Sequence, residues 1–179
     1  MISLVLLCTM KNFLPLVFFL FACKGEGPGE QKNTAIPRHR IKEQFVEANN
    51  MLAIKEDDDM DQYARRHKLP FVRTPSGIRY FIYKPSETGD SIIPGMQVTM
   101  DYTLTLLDGT VAYSSDTEGR RSFVVEHDEI ESGLHKGVQY LKRGDKALIM
   151  IPSALAHGLL GDRRKIPPHM PIIYNVKIY

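Results

Sequence analysis

The side chains able to do chemistry are scattered along this 179-residue chain. Its six histidines, His39, His67, His127, His135, His157 and His169, include no i, i+4 pair of the kind that holds zinc on a helix. The only cysteines, Cys8 and Cys23, both precede residue 24, so the remainder forms neither a disulfide nor a thiolate metal site. No Gly-x-Ser-x-Gly elbow, His-Glu-x-x-His pair or Walker loop is present. Gly25, Gly27 and Gly29 mimic a nucleotide loop, but no strand precedes them and no helix follows. Glu56, Asp57, Asp58, Asp59 and Asp61 lack the alternation, glycine and distal Glu of a calcium loop. Neither a metal nor a cofactor is expected. What remains is an aromatic and aliphatic surface on strands that flank a long loop. Such a surface suits binding, or a reaction that needs little acid-base chemistry.

The elements that must position these residues follow from the hydrophobic period. Ile41, Phe45, Ala48 and Leu52 recur at helical steps, and a second helix is expected from the acids at 56–61 to Arg65, Arg66, His67 and Lys68, a charge order that matches the helix dipole. Pro70 and Thr74-Pro75-Ser76-Gly77 end this helical extension, residues 38–70. The period then becomes two: Ile78, Tyr80 and Ile82 alternate with polar and aromatic neighbours, and Val98, Met100, Tyr102, Leu104 and Leu106 predict a half-buried strand. Asp108-Gly109 predicts a two-residue hairpin turn with positive backbone angles, returning over residues 110–113. Residues 114–121 read as a polar loop and 122–126 as a strand. Leu134, Val138 and Leu141 mark one short helix stopped by Gly144, and residues 147–151 another strand. Residues 152–171 form a long loop containing the basic run Arg163-Arg164-Lys165, and residues 172–179 the closing strand. An α+β fold satisfies this order, with an antiparallel sheet packed against one short helix.

Lys and Arg number 23 against 21 Asp and Glu, a balance too even to imply a nucleic-acid partner. The ten-residue apolar run 13–22 (FLPLVFFLFA) is too short to span a bilayer, which takes about 18 or more such residues. With Lys11 before it and Leu20-Phe21-Ala22-Cys23 at its end, it resembles a bacterial lipoprotein signal peptide, residues 1–22, whose natural start is Met10. That resemblance implies acylation of Cys23 and anchorage at a membrane outside the cytoplasm, stable because two or three chains hold where one does not. Residues 23–37, rich in Gly, Pro and polar side chains at their start, read as a flexible tether.

From Gly95 to the end, five segments resemble the FKBP-type peptidyl-prolyl cis-trans isomerases in order and spacing. They are residues 98–115 (VTMDYTLTLLDGTVAYSS), Glu131-Ser132-Gly133-Leu134 with Gly137-Val138, Arg143-Gly144-Asp145-Lys146-Ala147, residues 151–158 (IPSALAHG), and Ile166-Pro167-Pro168-His169. The resemblance implies a twisted antiparallel sheet wrapped over a short helix in residues 77–179, and activity on proline-containing polypeptides of the cell envelope. With the lipobox and helices added, the chain resembles the gliding-motility-associated lipoproteins of that family. By alignment, Tyr102 and Tyr174 become aromatic walls, Ile130 and Leu134 a floor, Phe123 a further lining residue, and Ile166 part of the covering loop. The N–H of Glu131 falls where the family donates to the substrate carbonyl.

Four positions depart from the family. Ala112-Tyr113 stands where Phe-Asp is usual, so the buried acid is absent; His157 replaces a tyrosine donor; and Leu134 replaces a flat Trp. Tyr113 and His157 still offer a hydroxyl and a ring nitrogen. The alternative is a peptide-binding or chaperone lipoprotein with little isomerase activity. The apolar faces of the N-terminal helices need a partner, either the domain or a second copy in a homodimer.

Overall fold

The computed structural model describes residues 38–179; the expected signal peptide, Cys23 and the tether lie outside the described residues. Helix α1 (Arg38–His67) is continuous where two helices were expected. Nothing between Leu52 and Glu56 breaks a helix, since the joining residues are good helix formers, and Lys55 pairs with Asp59 at 2.6 Å one turn on. The acids at 56–61 are therefore mid-helix, and Glu56, Asp57 and Asp61 meet partners outside the helix rather than its dipole. The helix ends on a Schellman-type cap, with Leu69 N–H donating to Ala64 O (3.0 Å) and Lys68 at φ 53°. No helix among the described residues is long and apolar enough to cross a membrane.

Seven strands form one antiparallel sheet: β1 (Val72–Arg73), β2 (Arg79–Lys84), β3 (Gln97–Leu106), β4 (Val111–Ser114), β5 (Arg121–Val124), β6 (Lys146–Ile151) and β7 (Ile172–Ile178). Their order is β1-β2-β6-β7-β3-β4, with β5 also on β3. Strand β1 was not expected; two residues are too few for a period. The long β3 pairs with β7 along one edge and divides the other between β5, along residues 97–100, and β4, along 103–105. Its alternate residues from Val98 to Leu106 are all buried.

The β3–β4 hairpin is not the two-residue turn expected. Gly109 alone takes a positive φ (89°), its N–H donating to Leu106 O, while Leu106 N–H donates to Thr110 O. This is a longer turn closed by a glycine bulge, and the register slips between Leu104 and Thr105. The expected loop after β4 contains a single helical turn, α2 (Ser115–Glu118), capped by the Ser114 hydroxyl.

Helix α3 (Ser132–Val138) lies across one sheet face, and Leu141 follows it in a turn. Leu134, Val138 and Leu141 join Val98, Met100, Leu104, Ile149, Ile151 and Val176 in the main core. A Cβ on Gly133 would come 2.2 Å from Ile151 Cγ2, so only glycine permits this approach. The other sheet face is covered in part by the second half of α1, where Met60 packs with Met150 and Ile173, and Tyr63 and Phe71 lie against them. Arg79, 2% exposed, locks this layer: its guanidinium meets Asp57 Oδ1 (2.8 Å) and Asp61 Oδ1 (2.6 Å). Residues 39–55 of α1 are exposed throughout, Phe45 (66%) and Met51 (66%) included.

Candidate functional site

A cleft of about 500 Å³ opens between the end of β3, α2, the start of α3 and the loop 152–171. Tyr102, Tyr113, Glu131, His157 and Tyr174, the five residues singled out for chemistry, all line it, with Glu118, Arg121, Asp162 and Arg164. The register explains the aromatic pair. Tyr102 faces Val176 and Leu104 faces Tyr174 across β3 and β7, so the two tyrosines are diagonal neighbours on one face, ring centroids 5.9 Å apart. Tyr174 is fully buried and shows the cleft its hydroxyl end, which donates to Glu131 Oε1 (3.0 Å) and accepts from Arg121 Nη1 (3.0 Å). Burial, then the Glu131 charge, push this hydroxyl well above its ordinary range and keep it a donor. Burial and next Glu118 also raise Tyr102.

The other four aligned residues lie elsewhere. Phe123, Leu134 and Ile166 are buried in the main core and Ile130 packs against it; none lines the cleft. The floor is instead ionic. Glu131, whose side chain is 8% exposed, sits 3.1 Å from Arg121 Nη1 through Oε2 and 3.3 Å from His157 Nε2 through Oε1. The distance to Arg121 suits an ion pair, yet Glu131 Oε2 and His157 Nε2 are left without a hydrogen bond. The Glu131 carbonyl accepts from Leu134 and His135, while no acceptor among the described residues takes its N–H. His135 is structural: its Nδ1 accepts from Glu126 N–H, and Nε2 lies 2.9 Å from Asp128 O.

The carboxylate missing from position 113 is supplied from the loop. The Tyr113 hydroxyl donates to Asp162 Oδ2 in a short hydrogen bond, and Asp162 Oδ1 accepts from Arg164 N–H and Ile166 N–H, both at 2.8 Å. Burial works to raise the Asp162 carboxyl, but the Tyr113 hydroxyl and the backbone donors together outweigh it and hold it at about 2. The same bond, aided by burial, pushes Tyr113 up to about 12. Lys165 Nζ lies 4.7 Å from the Tyr113 ring centroid, closing the loop over it. Sequence reasoning missed Asp162, Arg121 and Glu118. For Asp162 there was a local signal, since an Asp after Gly161 readily accepts from N–H groups two residues on; Arg121 and Glu118 had none.

The profile of FKBP-type peptidyl-prolyl cis-trans isomerases matches residues 89–179. The chain is similar to a probable FKBP-type isomerase, FkpA, of Neisseria meningitidis, 31% identical over 83% of this chain and 51% of that protein. It is also similar to the outer membrane protein MIP of Legionella longbeachae, 28% identical over 64% of this chain and 48% of that one. The chain thus spans about half the length of these curated relatives. Among solved structures, FkpA from Escherichia coli shares the fold at TM-score 0.61 and 24% identity, covering 79% of this chain and 66% of that chain.

Proposed function

The chain belongs to the FKBP-type peptidyl-prolyl cis-trans isomerase family, and we propose from this that it catalyses cis-trans isomerisation of X-Pro bonds in cell-envelope polypeptides while tethered to a membrane through lipid on Cys23. The observation that carries the reading is the convergence of Tyr102, Tyr113, Glu131, His157 and Tyr174 on one cleft of the matched domain. Amide resonance sets a rotation barrier of roughly 18–20 kcal/mol, with little difference between the two end states. No nucleophile or metal is needed; the protein has to favour the twisted amide. Tyr102 is the aromatic surface for the proline ring. The unspent Glu131 N–H is the donor for the carbonyl, and His157, beside Glu131, is a second polar contact. The name of the Legionella relative, an outer membrane protein, supports an envelope location. A role in gliding motility is supported by the resemblance of the lipobox, helices and domain order. The exposed Phe45, Val46, Met51 and Ile54 of α1 support pairing of two copies through their helices.

A second reading, a peptide-binding or chaperone module with little turnover, is favoured by the Glu131–Arg121 ion pair in the cleft, where a twisted amide gains from apolar surroundings. Isomerisation of proline tetrapeptides by the full chain separates the two. Acceleration that falls by an order of magnitude or more in Tyr102→Ala, equivalent to about 1.4 kcal/mol or more of transition-state stabilisation, supports the isomerase. Peptide binding without acceleration by a folded protein supports the second reading.

A further inference from the structure

Ser153 begins the loop that carries His157, and its capping partner comes from a distant helix. Glu56, in the middle of α1, accepts from the Ser153 hydroxyl through Oε2 (2.6 Å) and from the Ser153 N–H through Oε1 in a short hydrogen bond. Ser153 is 5% exposed and opens a 3-10 turn, Ser153–Leu155, whose first N–H has no partner in the turn itself. From the opposite side α3 closes on the same turn: Ser132 Oγ donates to Leu155 O (3.4 Å), and a Cβ on Gly133 would come 2.8 Å from that oxygen. The turn is gripped between two helices. Two residues past its end, His157 enters the cleft 3.3 Å from Glu131.

We propose that Glu56 is a positioning residue for the cleft, setting the place of His157 through Ser153. The inference rests on the isomerase reading. Docking of α1 is secured by other contacts, Arg79 with Asp57 and Asp61 and the packing of Met60, so Glu56 is not required to hold the helix on the sheet. Without the carboxylate, the buried Ser153 N–H and hydroxyl lose both acceptors. The turn then shifts toward water, and His157 moves with it. Small displacements of positioned groups cost rate more than binding, because the geometry is needed in the transition state.

Steady-state isomerisation by the full chain tests this. Glu56→Ala should lower kcat by about tenfold at nearly unchanged KM, and Ser153→Ala, which keeps its N–H hydrogen bond to Glu56, by less. The double variant should be no worse than Glu56→Ala alone, since Ser153→Ala removes only the hydroxyl hydrogen bond, one of the two that Glu56→Ala removes. Glu56→Gln, which retains an acceptor and a donor, should recover most of the rate, and Asp61→Ala should lower the melting temperature without lowering kcat. Hydrogen exchange gives a readout independent of turnover: Glu56→Ala should speed exchange of the amides in 153–160 and leave β3 and β7 unchanged. An unaltered kcat in Glu56→Ala, or losses that add in the double variant, overturns the proposal. A wild-type chain without isomerase activity overturns the functional reading instead, and the exchange result then decides whether the latch exists.

Discussion

Tyr113 and Asp162 act as one unit at the mouth of the cleft, because each fixes the ionisation of the other. A carboxyl held at about 2 is charged in the folded protein above that value, whereas its ordinary value is 3.8. Its contribution to holding the loop is therefore complete above about pH 4 and is lost as the pH falls through 2. Tyr113, raised to about 12 from 10, contributes below pH 10 and loses that contribution as the pH climbs through 12. Carboxyl NMR titration should place the Asp162 midpoint near 2 in the wild type and move it upward in Tyr113→Phe, where the hydroxyl donor is gone. An unmoved midpoint would mean that the backbone donors of Arg164 and Ile166 hold the charge unaided. The position of Tyr113 in the site was legible by alignment with the family. Its partner was not, since 49 residues separate it from Asp162 and only the path of the loop brings them together.

The junctions between elements rest on a few residues whose types look unsuited to their surroundings. Arg79 lies on a strand yet is buried, and its charge is met only because α1 presents Asp57 and Asp61 one turn apart. Arg79→Ala leaves both acids facing a void. The expected cost in chemical denaturation is about 2–3 kcal/mol, below that of a fully buried pair because the acids remain about one-third exposed. Gly133 plays the opposite part, as an absence of side chain that lets α3 reach β6. Gly133→Ala drives a methyl into Ile151 and the Leu155 carbonyl and should cost about 2–3 kcal/mol. A stability within a few tenths of a kcal/mol of the wild type would show that α3 shifts freely on the sheet. Strand β3 was legible from its period because it buries alternate residues, whereas β6 and β7 bury consecutive runs, residues 149–151 and 172–174, where both faces of the sheet are covered. The two-helix expectation failed at Leu52–Glu56 because a charge run says where a surface is, and nothing there interrupts hydrogen bonding.

Over the whole molecule, the family domain is joined through α1 to a segment read from sequence as a lipid anchor. Cys23→Ser expressed in a bacterium that processes lipoproteins should abolish labelling by palmitate and move the protein out of the membrane fraction. Retention of the variant in membranes would argue for an anchor other than the thioether. Local order decided much of this protein: the alternation of Val98 to Leu106, the helical steps of Ile41 to Leu52 and the spacing of five motifs are properties of neighbouring residues, and they suffice for an α+β fold of one family, while alignment with that family named the five positions that line the cleft. Tertiary structure alone decided the rest. It sank Phe123, Leu134 and Ile166 into the core, placed the Glu131–Arg121 pair in the cleft, returned a carboxylate through Asp162, and tied Glu56 to Ser153. The reason is physical: hydrophobic period reports which way a side chain faces within its own element. Which charges then meet in a shared, poorly solvated space depends on the crossing of elements far apart in the chain, where Coulomb and hydrogen-bond energies act over distance in space.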